Sequence, residues 1–172
     1  MKLQFKHQKF QADAAKAVVD VFAGQPYLTP TYMMDKGLLK DKHGTTGYDE
    51  KYVLEDFTGW CNQKIVPELN DRLILEHINA IQRANQIKPS EKLEGRYNLT
   101  IEMETGVGKT YTYIKTMYEL NRAYGWSKYI VVVPSVAIRE GVYKSFQVTQ
   151  EHFAEEYGKK INVIKLSKFL NL

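Results

Sequence analysis

Four residues near the middle of the chain have the types and spacing that hold a polyphosphate: Gly106, Gly108, Lys109 and Thr110. Backbone N–H groups converge on phosphates only where side chains do not crowd the turn, and glycine also permits the φ angles that such a turn requires. The lysine supplies a mobile charge for the β- and γ-phosphates, and the threonine hydroxyl reaches the accompanying Mg²⁺. These residues predict a site for a nucleoside triphosphate with Mg²⁺.

The segment 103–110, hereafter the phosphate loop, departs from the general pattern G-x-x-x-x-G-K-[ST] at one position. Met103 replaces the leading glycine, whereas Thr105 and Val107 occupy positions that the pattern leaves open. The alternative is a glycine-rich turn whose lysine is merely solvated. An apolar run before the loop and an amphipathic segment after it favour the phosphate loop.

The elements that must position this loop are predicted as a strand over residues 97–103 and a helix that begins near Lys109. A second apolar strand follows at 128–133, then a helix from Ser135 to Tyr157, and a third strand at 161–166. Strands that alternate with helices predict an α/β fold, a parallel sheet flanked by helices, with the ligand at the carboxyl ends of the strands.

The preceding half of the chain is predicted to contain helices at 10–22 and 67–87, separated by a segment rich in turn residues at 26–60. Within that segment, residues 52–56 form a short apolar run that ends in carboxylates, which we interpret as structural because it precedes the phosphate loop. Gln11, at the start of the first helix, has a simple interpretation as a polar helix-end residue.

The composition is that of an ordinary globular domain, with 172 residues of which 44% are hydrophobic and 26% charged. A single cysteine excludes an intramolecular disulfide, and the four histidines show no ligand spacing. No apolar run predicts a membrane span or a secretion signal, so we expect a cytoplasmic protein. The net charge of +4 favours polyanionic partners without identifying one.

Three segments together resemble the amino-terminal part of the Res subunit of type III restriction-modification enzymes, which are superfamily 2 helicase-like ATPases. They are Phe10-Gln11 with Ala14, YNLTIEMETGVGKT at 97–110, and IVVVPSVAIREGV at 130–142. The resemblance implies a P-loop NTPase (RecA-like) lobe that binds ATP and Mg²⁺. It divides the chain into an adenine-side helix at 1–25, an insertion at 26–66, a helix at 67–88 and an α/β core at 97–172.

The resemblance also assigns roles to residues outside the phosphate loop. Gln11 matches the glutamine that reads the adenine edge, and Phe10 packs beside the base. Pro134, Ser135 and Arg139 match a motif that contacts nucleic-acid phosphates, although Arg139 alone also fits an ordinary surface arginine. The implied partners are double-stranded DNA and the modification (methyltransferase) subunit, and no membrane is implied.

The family's acidic magnesium motif, second ATPase lobe and nuclease domain have no counterpart in the sequence, so we expect an incomplete first lobe that binds ATP with little turnover. Three alternatives stay open. They are another superfamily 2 helicase or translocase, a DNA- or partner-binding module that makes no use of ATP, and a small nucleotide kinase.

Overall fold

The computed structural model describes residues 5–28, 39–40, 46–47, 62–95 and 97–165. Along the chain its elements are α1 (Lys9–Val21), β1 (Leu39–Lys40), β2 (Thr46–Gly47), α2 (Asp71–Ala84), α3 (Lys109–Tyr124) and α4 (Val136–Tyr157). The two short strands pair antiparallel, with Leu39 opposite Gly47. The predicted run at 52–56 lies outside the described residues, as does most of the predicted insertion.

The predicted parallel sheet is wrong for this structure. The described parts of segments 97–103, 128–133 and 161–166 contain no strand, and the two-stranded antiparallel pair is the sheet that the structure shows. Ile130 and Val132 are 86% and 87% exposed, whereas a central parallel strand buries such side chains on both faces. A strand forms only where a second extended segment completes the backbone hydrogen bonds, and among the described residues none pairs with this run as a strand.

The four helices of the described residues confirm the helical predictions, with shifted ends. Helix α2 begins four residues later than Pro67, because the Asn70 side chain accepts a hydrogen bond from the Leu73 N–H and caps the helix there. Helix α4 begins after Ser135, whose hydroxyl accepts from the Ile138 N–H as expected of a cap. It ends at Gly158, which takes the left-handed conformation with φ of 66°.

The described residues form two compact units. The first unit contains residues 5–18, 99–119 and 130–165, and its core brings Ile114 and Tyr118 of α3 against Phe146 and Phe153 of α4. The second unit contains 19–28, 62–95, 97–98 and 120–129, with the two short strands. Its buried side chains include Phe22, Leu69, Ile74, Tyr124 and Trp126. No helix within the described segments combines the length and apolar character that a bilayer span needs.

Candidate nucleotide-binding site

The phosphate loop leads directly into the first turn of α3, as the sequence predicts. Gly106 and Gly108 have φ angles of 83° and 89°, which residues with a side chain rarely adopt. The Thr112 N–H and hydroxyl both donate to the Gly108 carbonyl, at 3.0 and 3.2 Å, and so fix the junction between loop and helix. A helix that starts at Lys109 directs its first N–H groups and the positive end of its dipole toward the loop.

Gln11 of α1 lies against the phosphate loop. Its side chain is 8% exposed, and its Nε2 donates to the Val107 carbonyl at 2.9 Å. A Cβ at Gly108 would approach Gln11 Nε2 to 2.7 Å, so the loop passes close to the amide because Gly108 has no side chain. Gln11 is therefore a buried contact of the loop rather than a polar residue at an exposed helix end. Its neighbour Phe10 is 46% exposed.

Lys109 and Thr110 occupy the first turn of α3, Lys109 exposed and Thr110 half-buried. The Lys109 Nζ donates to the Glu104 carbonyl at 2.8 Å, so the side chain folds back over the loop. Since an ammonium has three donors, a phosphate oxygen that enters the loop can bind this group beside the carbonyl or in its place. The lysine is thus held at the loop by a contact that an anion can replace.

A hydrogen bond behind the loop, which the sequence does not predict, stabilises the first turn of α3. The Tyr111 hydroxyl and His152 Nε2 lie 2.8 Å apart, and the Phe5 ring stacks on Tyr111 at 5.9 Å between centroids. Burial raises the pKa of Tyr111 to about 12, and burial also lowers the pKa of His152. No local signal marks His152, because its partner lies 41 residues away.

A buried charged network joins α3 to α4 one turn further along. The Lys115 Nζ lies 2.6 Å from a Glu156 carboxylate oxygen and 2.9 Å from the Tyr157 hydroxyl, which donates to Glu119 at 2.7 Å. Burial pushes the pKa of Glu156 up, but the surrounding hydrogen bonds and positive charges, those of Lys115 foremost, more than offset this, so the pKa is lowered. Burial, with the Glu119 hydrogen bond, raises the pKa of Tyr157. The network fixes the helix that carries Lys109.

The three residues expected to contact nucleic acid lie together where α4 begins. Pro134 and Ser135 are exposed, and the backbone N–H of Arg139 donates to the backbone carbonyl of Ser135 at 3.0 Å. The Arg139 guanidinium contacts Glu140 at 3.3 Å, and Glu140 also accepts from Lys165 at 2.6 Å. That Lys165 hydrogen bond holds the pKa of Glu140 below its usual value. The positive charge of Arg139 is therefore partly compensated by the carboxylate of Glu140.

Residues 68–169 match the family model described as "Type III restriction enzyme, res subunit". The chain belongs to this family. The match contains the phosphate loop with Pro134, Ser135 and Arg139, whereas Gln11 lies before it. The contact of Gln11 with the loop is thus a finding of the structure.

Individual Res subunits are similar to this chain over part of its length. The EcoPI Res subunit of Escherichia phage P1 is 34% identical over 97 residues, or 54% of this chain, and the EcoP15I Res subunit of Escherichia coli is 33% identical over 98 residues, or 55%. The StyLTI Res subunit of Salmonella typhimurium is 41% identical over 69 residues, or 39% of this chain. These stretches are 10%, 10% and 7% of the respective relatives, so the chain matches a small part of a restriction subunit.

Proposed function

We propose that this chain is the ATP-binding part of a helicase-like restriction subunit, which couples ATP hydrolysis to action on DNA in the parent enzyme. The observation that carries the proposal is the phosphate loop itself. It has two left-handed glycines, and Lys109 and Thr110 stand on the first helical turn behind it. This geometry lies within the region that matches the restriction subunit family.

Each residue of the loop has a proposed role in binding the nucleotide. The backbone around Thr105, Gly106 and Val107 presents N–H groups to the phosphates, and the absence of a side chain at Gly108 allows the close approach. Lys109 exchanges its contact with the Glu104 carbonyl for the β- and γ-phosphates.

Thr110 is the proposed protein ligand of Mg²⁺, through its hydroxyl. A phosphate-bound Mg²⁺ retains waters and takes few ligands from the protein, so one hydroxyl on the first helical turn fits the ion. When bound, the ion neutralises charge on the phosphates.

Gln11 and Phe10 are the proposed contacts of the adenine base. A glutamine amide carries both a donor and an acceptor, which suits the adenine edge, where a donor and an acceptor stand side by side. The contact between the Gln11 amide and the Val107 carbonyl of the phosphate loop supports this role. Phe10 directly precedes Gln11 in α1 and is 46% exposed, so its ring offers an aromatic face for the base.

We propose little turnover by these 172 residues alone. The residues assigned above bind phosphate, magnesium and base, and none of them orients an attacking water or supplies an arginine to the transition state. Phosphoryl transfer depends on both functions, since charge on the transferred group must be stabilised in place.

The proposed partners are double-stranded DNA, through Pro134, Ser135 and Arg139, and the modification (methyltransferase) subunit of a cytoplasmic restriction system. Support for the DNA contact is the helix start: a capped N-terminus with an adjacent arginine is a common way to bind a phosphate. Arg139→Ala should weaken binding of a short duplex while leaving ATP binding unchanged.

A nucleotide series tests the proposal. ATP, ADP and AMP are titrated into the chain with Mg²⁺ and again with EDTA, with binding measured by displacement of a fluorescent ATP analogue. We expect ATP to bind more tightly than ADP, AMP to bind at least about tenfold more weakly than ATP, and EDTA to reduce the ATP affinity. Equal affinities for ATP and AMP would show that the β- and γ-phosphates are not recognised. That result would favour the alternative, a binding module that makes no use of ATP.

A further inference from the structure

The second unit contains an open cavity of about 500 Å³ that is separate from the residues assigned to ATP. Three aromatic residues line it: the buried Phe22 and Trp126, whose rings meet edge to face at 5.1 Å, and the half-buried Tyr97. Gln63 and Lys64 contribute polar groups to the same wall, and Lys64 is exposed. A cavity with aromatic walls and a few polar groups is the usual form of a site for a planar ligand.

The polar wall of the cavity is held in place by side-chain amides on both sides. The Asn62 side-chain oxygen accepts from the backbone N–H groups of Ser127 and Lys128, each at 2.9 Å, and the side-chain amide donates to the Lys128 backbone carbonyl at 2.7 Å. Gln25 donates to the Lys64 carbonyl at 3.2 Å and accepts from the Val66 N–H at 3.0 Å. The wall is therefore preorganised, which lowers the entropic cost of binding.

Two groups on the wall lack a hydrogen-bond partner in the described structure. They are the side-chain oxygen of Gln63, an acceptor, and the indole N–H of Trp126, a donor, and both atoms are buried. Buried polar groups are nearly always paired, so two unpaired atoms on residues that line one cavity favour a ligand there. The glutamine amide turns about a soft torsion, so it can meet such a ligand without a backbone shift.

The backbone conformation of Tyr97 is a further observation in favour of a ligand in this cavity. Its φ is 66°, in the left-handed region that bulky residues rarely adopt. Such strain persists where the surroundings impose it and is concentrated at binding sites. Here it fixes an aromatic residue on the cavity wall.

We propose that this cavity binds one nucleotide unit, with its base among the aromatic rings and its phosphate near Lys64. The matching base has a ring N–H next to a carbonyl, as thymine does. The N–H donates to Gln63 and the carbonyl accepts from the Trp126 indole. The source is either a free mononucleotide or an unstacked base of a single strand, which offer the same chemistry.

The experiment uses the emission of Trp126. The chain has two tryptophans, so Trp60→Phe leaves Trp126 as the only source of tryptophan emission. We titrate deoxythymidine monophosphate into this variant, and 2-deoxyribose 5-phosphate, which lacks the base, as the matched ligand. We expect saturable quenching by the nucleotide and at least about fivefold weaker binding of the sugar phosphate. Absence of quenching, or equal binding of the two ligands, would overturn the proposal.

Gln63→Leu and its control Gln8→Leu separate a binding role from a structural one. Gln63→Leu removes the unpaired acceptor, so it should weaken nucleotide binding at least about fivefold while the melting temperature stays equal or rises. Gln8→Leu, at an exposed glutamine outside the cavity, should change neither quantity. Unchanged binding in Gln63→Leu would contradict the proposal. Lys64→Ala, at an exposed residue, should also weaken binding, and unchanged binding there would overturn the placement of the phosphate.

Further titrations identify the source and separate this site from the phosphate loop. A six-residue oligothymidylate that binds more than about tenfold more tightly than the mononucleotide indicates a single strand, and equal binding indicates the free nucleotide. Lys109→Ala should leave the quenching unchanged, whatever it does to ATP. Loss of quenching in Lys109→Ala would assign the signal to the phosphate loop and overturn a second site.

Discussion

At the scale of single residues, Gly106 and Gly108 differ in what a side chain at each would meet. Both have left-handed φ angles, but a Cβ at Gly106 meets no atom within 4 Å, whereas one at Gly108 meets Gln11 Nε2 at 2.7 Å. The first glycine is needed for its backbone conformation alone. The second is needed for its conformation and for the space that it leaves for Gln11.

Alanine substitutions distinguish these two requirements. Gly106→Ala should cost about 1 kcal/mol of unfolding free energy, from the left-handed conformation alone. Gly108→Ala should cost roughly 1–3 kcal/mol and weaken ATP binding at least about tenfold, because Gln11 must also move. Urea denaturation and ATP titration measure the two effects.

The control is Gly141→Ala, at a glycine inside α4 with open space around it. It should stabilise the protein by roughly 0.5–1 kcal/mol through helix propensity, with unchanged ATP binding. Equal effects of the Gly106 and Gly108 substitutions would refute the role of the Gln11 contact.

Local pattern was enough to predict some of these residues. The spacing of Gly106, Gly108, Lys109 and Thr110 predicts a turn that leads into a helix, and the structure has this turn. The contact of Gln11 with Val107 spans 96 residues, so only the folded chain reveals it. The contact of His152 with Tyr111 is likewise revealed only by the folded chain, because a single histidine in a helical segment gives no sequence signal of its partner.

At the scale of elements, α3 is fixed to α4 by the Lys115–Glu156 pair at 2.6 Å as well as by apolar packing. The Lys115 side chain is 8% exposed and that of Glu156 27%. Charges withdrawn from water are costly unless paired, so each partner depends on the other.

A double-mutant cycle tests this pair. Lys115→Met should cost about 2 kcal/mol of unfolding free energy, less than for a fully buried pair because Glu156 retains some solvent. Adding Glu156→Leu should recover much of that loss, since no lone charge remains. The exposed Arg72–Glu76 pair of α2 serves as the control, and Arg72→Ala should change stability by under about 0.5 kcal/mol. Purely additive losses in the double variant would contradict the account.

The helices could be predicted and the sheet could not, for a physical reason. Helical hydrogen bonds are local, so periodicity with a cap such as Ser135 and a stop such as Gly158 predicts α4 closely. A strand requires a second segment to complete its hydrogen bonds, and the run 128–133 carries no information about which segment that is. In the described structure this run joins no sheet, and Ile130 and Val132 are exposed.

At the scale of the whole molecule, stability should depend on pH through His152. Burial lowers the pKa of this imidazole, and the charges of His7 and Lys115 act in the same direction against that of Glu156. The unfolded chain therefore binds a proton at a higher pH than the folded protein does. The contribution of His152 to the unfolding free energy is fully present above about pH 6.5, the pKa in the unfolded chain. It is lost as the pH decreases toward the pKa in the folded protein.

The unfolding free energy is measured from pH 7.5 to 5.5 for the natural sequence and for His152→Gln. The natural sequence should lose stability across this range, and the variant should lose less, because glutamine does not titrate. Glu156 has a lowered pKa, so its own contribution is lost only at more acidic pH. Identical slopes in the two proteins would contradict the assignment to His152.

Membership of the restriction subunit family and the phosphate loop geometry lead to one central claim, that Lys109 holds the phosphates of ATP. The direct measurement is calorimetric titration of ATP with Mg²⁺ into the natural sequence, Lys109→Ala and Lys144→Ala, the last an exposed lysine on α4. We expect a loss of ATP affinity of at least about tenfold in Lys109→Ala, the scale of one charge-assisted contact, and none in Lys144→Ala. Equal affinity in all three proteins would contradict it.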